Sequence, residues 1–231
     1  MEKKGILYPV GTPIGNLKDI TLRALEILKG VDLIASEDTR HTRKLLSHYD
    51  IHVPLTSLYQ HNEIKKTPYL TRRLKDGANV ALVSKAGMPG ISDPGYSLIK
   101  EAIKQGITIV PIPGPAALIV GLVASGLPTH SFVFEGFLGR KKGTRLKKLT
   151  LLEEEERTIV IYEAPHGVRN VLSEIREVLG DRQMAIGREL TKKFEEILRG
   201  RVSELEKILE KRKPRGEFTL VIQGKRHKSE S

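Results

Sequence analysis

Acidic and imidazole side chains that could move a proton are concentrated in segments that follow short apolar runs of this sequence. The segment "SEDTRHTRKLL" (Ser36–Leu46) contains adjacent carboxylates, and "YEAPHGVR" (Tyr162–Arg169) combines a carboxylate with a histidine. Such groups can accept a proton from a substrate or orient its hydroxyl group. The candidates for this role are Glu37, Asp38, His41, Glu163, His166 and Glu189.

Each of these candidates also has a structural interpretation. Glu37 and Asp38 could cap a helix that starts near Thr39, because acidic residues are favoured at helix N-termini. His166 could cap or pack at a helix start, and Arg188 with Glu189 could form a structural ion pair. The sequence leaves both interpretations open.

Glycine and proline recur at the ends of successive strand-like runs. In "LVSKAGMPGISDPGY" (Leu82–Tyr96), three glycines and two prolines fall within nine residues, and "YPVGTPIGNLKD" (Tyr8–Asp19) and "PIPGPAAL" (Pro111–Leu118) are similar. Glycine lets backbone approach a ligand closely, and proline fixes φ. One such loop is typical of an ordinary turn. Three of them, with the polar segment Ser36–Leu46 at a fourth strand end, favour a ligand-binding edge of an α/β sheet.

Apolar runs alternate with amphipathic segments along the whole chain, which predicts an α/β fold with mostly parallel strands. A change near Gly126–His130 predicts two α/β domains, residues 1–127 and 128–231. The predicted strands are Gly5–Val10, Asp32–Ser36, Ala78–Ser84, Ile107–Ile112, Phe132–Gly136, Thr158–Glu163, Met184–Arg188 and Phe218–Gln223. The predicted helices are Thr21–Lys29, Thr42–His48, Asn62–Asp76 (started, kinked or ended by Pro68), Tyr96–Gln105, Pro115–Ser125, Val168–Leu179 and Ser203–Lys211.

Composition excludes several classes of function. The 231 residues contain no cysteine, so disulfides and thiolate chemistry are excluded, and the histidines lack metal-ligand spacing, so we expect no metal. The N-terminus does not resemble a signal peptide, and the longest apolar run is too short to span a bilayer. We therefore expect a cytoplasmic protein without a membrane partner. The tail "KRHKSES" (Lys225–Ser231) is predicted to be disordered.

The net charge of +11 favours a polyanionic partner, and nucleic acid is the first candidate. The run "GRKKGTRLKK" (Gly139–Lys148) places six basic residues among flexible glycines, a composition suited to gripping phosphates. The alternative is an ordinary solvated face. The predicted RNA contacts in this run are Arg140, Lys141, Lys142 and Arg145.

Seven motifs together resemble the tetrapyrrole-methylase superfamily and, within it, the bacterial family that 2′-O-methylates a cytidine in 16S ribosomal RNA. They are "PVGTPIGNLKDIT", "SEDTRHTRKLL", "SDPGY", "PIPGPAA", "GFL", "YEAPH" and "RELTK". The resemblance implies two α/β lobes with a cofactor cleft between them, S-adenosylmethionine as cofactor, a homodimer, and 16S rRNA or the small ribosomal subunit as partner. A tetrapyrrole (precorrin-type) methylase and a non-catalytic basic RNA-binding protein on the same fold are the alternatives.

A ribose hydroxyl is a weak nucleophile, so a base or an orienting acceptor should help its methylation. Our hypothesis is that Glu37 or Asp38 orients this hydroxyl, that Arg40 holds a phosphate, and that Glu163 and His166 lie on the substrate side. The resemblance adds roles in cofactor binding. The implied cofactor-binding residues are Pro9, Gly87, Met88, Pro89, Ile91, Ser92, Pro115, Ala116, Ala117 and Tyr162. The chain departs from the family pattern at Lys85, Met88 and Gly167, where relatives typically have an acid, a threonine and an arginine.

Overall fold

The computed structural model describes residues 4–225 of the chain, which form two compact units. The division between the units falls after Ala116, whereas the predicted domain division falls after residue 127. The difference arises because the helix Ala117–Ser125 packs against the sheet of the second unit. The predicted disordered tail lies outside the described residues beyond Lys225.

The first unit is a five-stranded sheet in the order β3-β2-β4-β1-β5, with every neighbouring pair parallel. Its strands are β1 Ile6–Pro9, β2 Leu33–Ser36, β3 Leu55–Ser57, β4 Val80–Val83 and β5 Thr108–Ile109. Its helices are α1 Leu22–Gly30, α2 Thr39–His48, α3 Glu63–Lys75 and α4 Tyr96–Lys104. Because the strands are parallel, their carboxyl ends and the loops that follow them meet at one edge.

Helices on both sides of this sheet explain why β2 and β4 contain a single polar residue, Ser36. All four residues of β2 and of β4 are buried. Leu70 and Leu98 belong to the core on one face, and Leu28 and Leu46 belong to the core on the other. A parallel sheet that is buried on both faces needs such continuous apolar strands.

The second unit contains a mixed sheet in the order β6-β7-β10-β8-β9, in which only β6 and β7 pair in parallel. Its strands are β6 Phe132–Phe137, β7 Thr158–Glu163, β8 Gln183–Arg188, β9 Glu196–Arg201 and β10 Phe218–Ile222. Its helices are α5 Ala117–Ser125, α6 Lys142–Leu151, α7 Val168–Leu179 and α8 Val202–Glu210.

The predicted α/β fold is confirmed, and each predicted strand and helix is present with its ends shifted by a few residues at most. The prediction omits β3, β9 and α6. The strand β3 has only three residues, and β9 is a largely polar edge strand, so both lack a clear apolar run. The helix α3 continues through Pro68 rather than starting or ending there.

The basic run is a helix and not a flexible segment, because α6 begins at Lys142. Arg145 is buried, and its guanidinium makes two hydrogen bonds to the carboxylate of Glu174 on α7, at 2.6 and 2.7 Å. It also donates to the carbonyl oxygen of Arg140 at 2.6 Å. The structure thus corrects the predicted RNA contact of Arg145, because this side chain is already paired inside the second unit.

We predict that Glu174→Gln lowers the free energy of unfolding by about 3 kcal/mol or more, because the buried guanidinium of Arg145 loses its counter-charge. The matched control is Glu177→Gln, the same chemical change at an exposed position of α7. We expect the control to change stability by less than about 0.5 kcal/mol. Urea titration of both variants makes the comparison, and equal stabilities would contradict a structural role for the pair.

Candidate functional site

The carboxyl edge of the parallel sheet is the first candidate site. The connection after β1 leads towards β2 on one side, and the connection after β4 leads to β5 on the other side. The neighbouring strands β1 and β4 are therefore the point at which the winding reverses, where open α/β sheets bind ligands. Across this point Thr12 and Gly87 exchange two backbone hydrogen bonds, of 2.9 and 3.0 Å.

The loops after β1 and β5 touch backbone to backbone at this edge. A Cβ atom on Gly11 would lie 2.6 Å from the Cα of Gly114, and one on Gly114 would lie 2.7 Å from the Cα of Gly11. The same Cβ on Gly11 would also lie 2.7 Å from the sulfur of Met88. Three loops thus meet at a spot that has no room for a side chain at either glycine.

Thr12 has a buried hydroxyl group with no hydrogen-bond partner among the described residues. A neighbouring hydroxyl, that of Ser84, is satisfied by the carbonyl oxygens of Ala86 and Gly87. Leaving a buried hydroxyl unpaired is costly, and such a group in a native structure calls for an explanation. A ligand atom at this edge would supply the missing partner. The sequence places Thr12 in a candidate loop but gives no signal that singles it out.

The sequence-predicted cofactor residues of the first unit lie in the loops at this edge. Pro9 ends β1 and is buried, as are Gly87, with a φ of 82°, and Pro89. Met88 is half-buried, as are Pro115 and Ala116, which directly follow Gly114.

Two other predicted cofactor residues, in the loop after β4, face solvent. Ile91 is 46% exposed, a large value for an apolar side chain, and Ser92 adopts a φ of 60°. A non-glycine residue in this left-handed region is uncommon and occurs preferentially at functional sites.

The remaining two predicted cofactor residues belong to the second unit. Ala117 is the first residue of α5. The next residue, Leu118, donates its backbone N–H to the hydroxyl oxygen of Tyr162 at 2.9 Å. The Tyr162 ring lies against Phe134 and Phe137, with centroids 4.9 and 5.7 Å apart. Tyr162 therefore fixes the start of α5 against the second sheet.

Asp38 is the N-cap of α2, as its structural interpretation predicts. Its Oδ1 accepts the backbone N–H groups of Arg40 and His41, each at 3.0 Å. These bonds, the one from His41 foremost, lower the pKa of Asp38 below its usual value. Glu37 does not cap this helix, because its Oε2 accepts the backbone N–H of Lys85 at 2.8 Å and so joins the loops after β2 and β4.

Glu163 and His166 follow β7 in the second unit. Glu163 is buried, and burial raises the pKa of its carboxyl group, although the N–H of Ala164 and the charge of Arg145 oppose the shift. Its Oε1 accepts that N–H at 2.8 Å. A Cβ on Gly167 would lie 2.5 Å from the same oxygen, so the absence of a side chain at 167 makes room for this carboxylate. His166 is exposed.

Arg188 and Glu189 do not pair with each other. Arg188 binds Glu196 at 3.1 Å, and Glu189 binds Lys192 at 2.7 Å and accepts the N–H of Glu217 at 3.0 Å. Burial opposes the ionisation of Glu189, but the Lys192 ammonium and the Glu217 N–H outweigh it and lower the pKa.

The segment that contains Glu189 is strained. Glu189 and Thr191 both have positive φ, 50° and 64°, and the hydroxyl of Thr191 is buried without a partner among the described residues. Positive φ is a genuine outlier for a β-branched residue and marks candidate functional loops. The sequence identifies this segment as a strand-end loop, but it does not indicate that Lys192 and Glu217 bind Glu189.

The predicted basic contacts are only partly available on the surface. Arg140, Lys141 and Lys142 are exposed, whereas Arg145 is buried. Lys148, in the same run, donates to the carbonyl oxygen of Phe137 at 3.1 Å. Within residues 4–225, no group of three acidic or histidine side chains is placed to hold a metal ion. No helix in that range has the length and apolar character needed to cross a membrane.

We predict that Gly114→Ala lowers the free energy of unfolding by roughly 1–3 kcal/mol, because its Cβ would overlap the Gly11 backbone. The matched control is Gly30→Ala at the end of α1, where a Cβ meets no atom within 4 Å. We expect that variant to be as stable as the unchanged chain or slightly more so. Denaturant titration measures both, and a Gly114→Ala protein of unchanged stability would contradict the close contact.

Comparisons with known proteins find a matching family model and several relatives that share one name. A family model described as Tetrapyrrole (Corrin/Porphyrin) Methylases matches residues 6–206. A protein of Thermotoga maritima named Ribosomal RNA small subunit methyltransferase I is 49% identical over 221 residues, covering 96% of this chain and 99% of that protein. A protein of the same name from Bacillus subtilis is 48% identical over 220 residues, covering 95% of this chain and 75% of the relative.

Solved structures share the fold at much lower identity. A cobalt precorrin-4 methyltransferase matches with a TM-score of 0.70 and 20% identity, covering 94% of both chains. A uroporphyrin-III-C-methyltransferase of Thermus thermophilus matches with a TM-score of 0.67 and 22% identity, covering 95% of this chain and 94% of the other. At these identities the likeness concerns the fold alone.

Proposed function

Because this chain belongs to the tetrapyrrole (corrin/porphyrin) methylase family and, within it, to the ribosomal RNA small subunit methyltransferases I, we propose that it methylates the 2′-oxygen of a cytidine ribose in 16S rRNA. The observation that carries the proposal is the 49% identity to the Thermotoga maritima protein over almost the full length of both chains. The net charge of +11 agrees with an RNA substrate.

Methylases of this family use S-adenosylmethionine, whose sulfonium makes its methyl group an electrophile. The carboxyl edge of the first unit fits such a ligand, because an unpaired buried hydroxyl on Thr12 lies beside a cluster of glycines, prolines and apolar side chains. Ligand sites commonly combine apolar walls with a few polar groups in this way. The residues of this edge that would hold the cofactor are Pro9, Gly87, Met88, Pro89, Ile91, Ser92, Pro115 and Ala116. The cofactor roles of Ala117 and Tyr162 rest on the family resemblance alone.

Asp38 and Glu37 are suited to orient the acceptor hydroxyl rather than to remove its proton. The capping bonds that lower the pKa of Asp38 keep its carboxylate charged, which makes it a weak base but a good hydrogen-bond acceptor. Only Oδ1 of Asp38 and Oε2 of Glu37 accept the bonds described above, so each carboxylate keeps a second oxygen for a substrate. Methyl transfer from a sulfonium to a hydroxyl oxygen is a displacement reaction. Alignment of that oxygen with the methyl group is therefore a large part of catalysis.

Arg40, Arg140, Lys141 and Lys142 are the proposed contacts to RNA phosphates, and Glu163 and His166 remain candidates for the substrate side. Glu163 is the less accessible of these two, since it is buried while His166 is exposed. A cytoplasmic homodimer is part of the proposal and rests on the family alone.

We predict that the protein transfers labelled methyl from S-adenosylmethionine to 16S rRNA, presented as free RNA or as assembled small subunits. The product is a 2′-O-methylcytidine, identified by mass spectrometry of nuclease digests. Label on a base, or no label in RNA from either substrate, would overturn the proposal. Transfer to a uroporphyrinogen instead would favour a tetrapyrrole methylase.

We predict that Asp38→Asn or Glu37→Gln lowers kcat roughly 100-fold with an unchanged Kd for S-adenosylmethionine, because the oriented hydroxyl loses a charged acceptor. Asparagine caps helices as well as aspartate does, so Asp38→Asn tests the charge without removing the cap. Single-turnover assays give the rate, and calorimetric titration gives the Kd. Unchanged turnover in both variants would exclude either carboxylate as the orienting group.

A further inference from the structure

The exposed face of α2 is a basic surface with no acidic residue among the ten of the helix. Thr42, Leu45 and Leu46 are buried against the first sheet. The exposed residues are Arg40, His41, Arg43, Lys44, Ser47 and His48. The apolar side of the helix thus packs against the core, and its solvent-exposed face carries three permanent positive charges.

In the described part of the chain, these three cations have no ion-pair partner. Within residues 4–225, none of the side chains of Arg40, Arg43 and Lys44 forms an ion pair or donates a hydrogen bond, although Arg40 contributes to the field at Asp38. The basic run at α6 differs, because Arg145 is paired with Glu174 and Lys148 is bonded to a carbonyl oxygen. Unpaired cations on one face attract a polyanion.

The position of α2 connects this surface to the candidate site. The helix begins directly after β2, at the carboxyl edge of the sheet, and Arg40 lies two residues after Asp38. Arg43 and Lys44 follow about one turn further on, some 5 Å along the axis, and the ten residues extend for about 15 Å. Asp38 occupies the first free N–H groups of the helix, so the side chains rather than the helix terminus are available to an anion.

Charge alone does not single out α2, because α3 carries Arg72 and Arg73 on exposed positions of its last turn. That turn lies at the opposite edge of the sheet, since Leu74 accepts the N–H of Gly5, just before β1 begins. Of these two basic clusters, the one on α2 begins at the candidate edge, whereas Arg72 and Arg73 lie at the far end of α3.

We propose, on the basis of the function proposed above, that the exposed face of α2 grips the phosphates of the RNA strand flanking the reactive nucleotide. Arg40 lies closest to the reacting ribose, and Arg43 and Lys44 hold the neighbouring phosphates. The carboxylates at the start of the helix and the cations along it then contact the same RNA strand. The contact is with the backbone, so it fixes the register of the strand without reading bases.

The test compares the double variant Arg43→Gln/Lys44→Gln with Arg72→Gln/Arg73→Gln, which removes two charges from the far edge of the same unit. Filter binding of full-length protein to protein-free 16S rRNA is measured between about 50 and 300 mM potassium chloride. We expect the α2 variant to lose about tenfold or more in affinity and its salt slope to fall by roughly 1.4 to 1.8, since each phosphate contact contributes about 0.7 to 0.9. The α3 variant keeps the affinity and slope of the unchanged protein.

The same proteins are assayed for S-adenosylmethionine binding and for methyl transfer. We expect the α2 variant to have an unchanged cofactor Kd and an RNA KM raised about tenfold with little change in kcat. Unchanged RNA affinity in the α2 variant, or equal losses in both variants, overturns the phosphate grip. If the unchanged protein binds RNA but transfers no methyl, the proposed function fails while the binding comparison still decides the role of α2. Absence of RNA binding overturns both.

Discussion

The backbone contact between Gly11 and Gly114 is the constraint on which the candidate site depends. The pairing of β1 with β5 continues past the ends of both strands, because Val10 bridges Ile112 and the N–H of Gly11 donates to the Ile112 carbonyl at 3.0 Å. The segments that follow β1 and β5 therefore remain adjacent as they leave the sheet, and only glycine fits where they meet. Next to this contact, Thr12 and Gly87 exchange their two backbone hydrogen bonds. Met88 belongs to the same close packing, because a Cβ on Gly11 would lie 2.7 Å from its sulfur.

The second unit shows how burial changes what a charged residue can do. In the sequence, Arg145 and its basic neighbours are indistinguishable, yet Arg145 is inside the protein with a carboxylate partner. Removing an arginine from water is tolerated only with such a partner, so the pairing with Glu174 takes its charge out of any RNA contact. Glu163 is the complementary case, because burial raises the pKa of a carboxyl group whose oxygen occupies the space left by Gly167. The first assignment depends on a residue distant in sequence, since Glu174 lies 29 positions after Arg145.

The sequence predicts the parallel sheet well because β2 and β4 are buried on both faces and are apolar except at Ser36. It does not predict β9, which is an edge strand with half-exposed polar residues, or α6, whose glycine and lysines suggest a loop. At the candidate site, the loops singled out by their glycines and prolines do meet at one edge of the sheet, where Gly11 and Gly114 have no room for a side chain. It does not decide between capping and catalysis for Asp38, and it does not identify Thr12. Those conclusions require knowledge of which hydrogen bonds are made, and local composition does not contain it.

Capping and function are not exclusive alternatives for Asp38. The N–H groups that it accepts fix the direction in which α2 leaves the sheet, and they also keep its carboxylate ionised. Glu37, one residue earlier, ties the same turn to the loop after β4 through the N–H of Lys85. The start of α2 is thus held to its own first turn by one carboxylate and to the Gly/Pro loop by the other. A helix anchored in this way carries Arg40, Arg43 and Lys44 at fixed positions relative to the sheet edge. In the function proposed above, the same two residues would set both the path of the phosphate backbone along α2 and the orientation of the hydroxyl at the start of the helix.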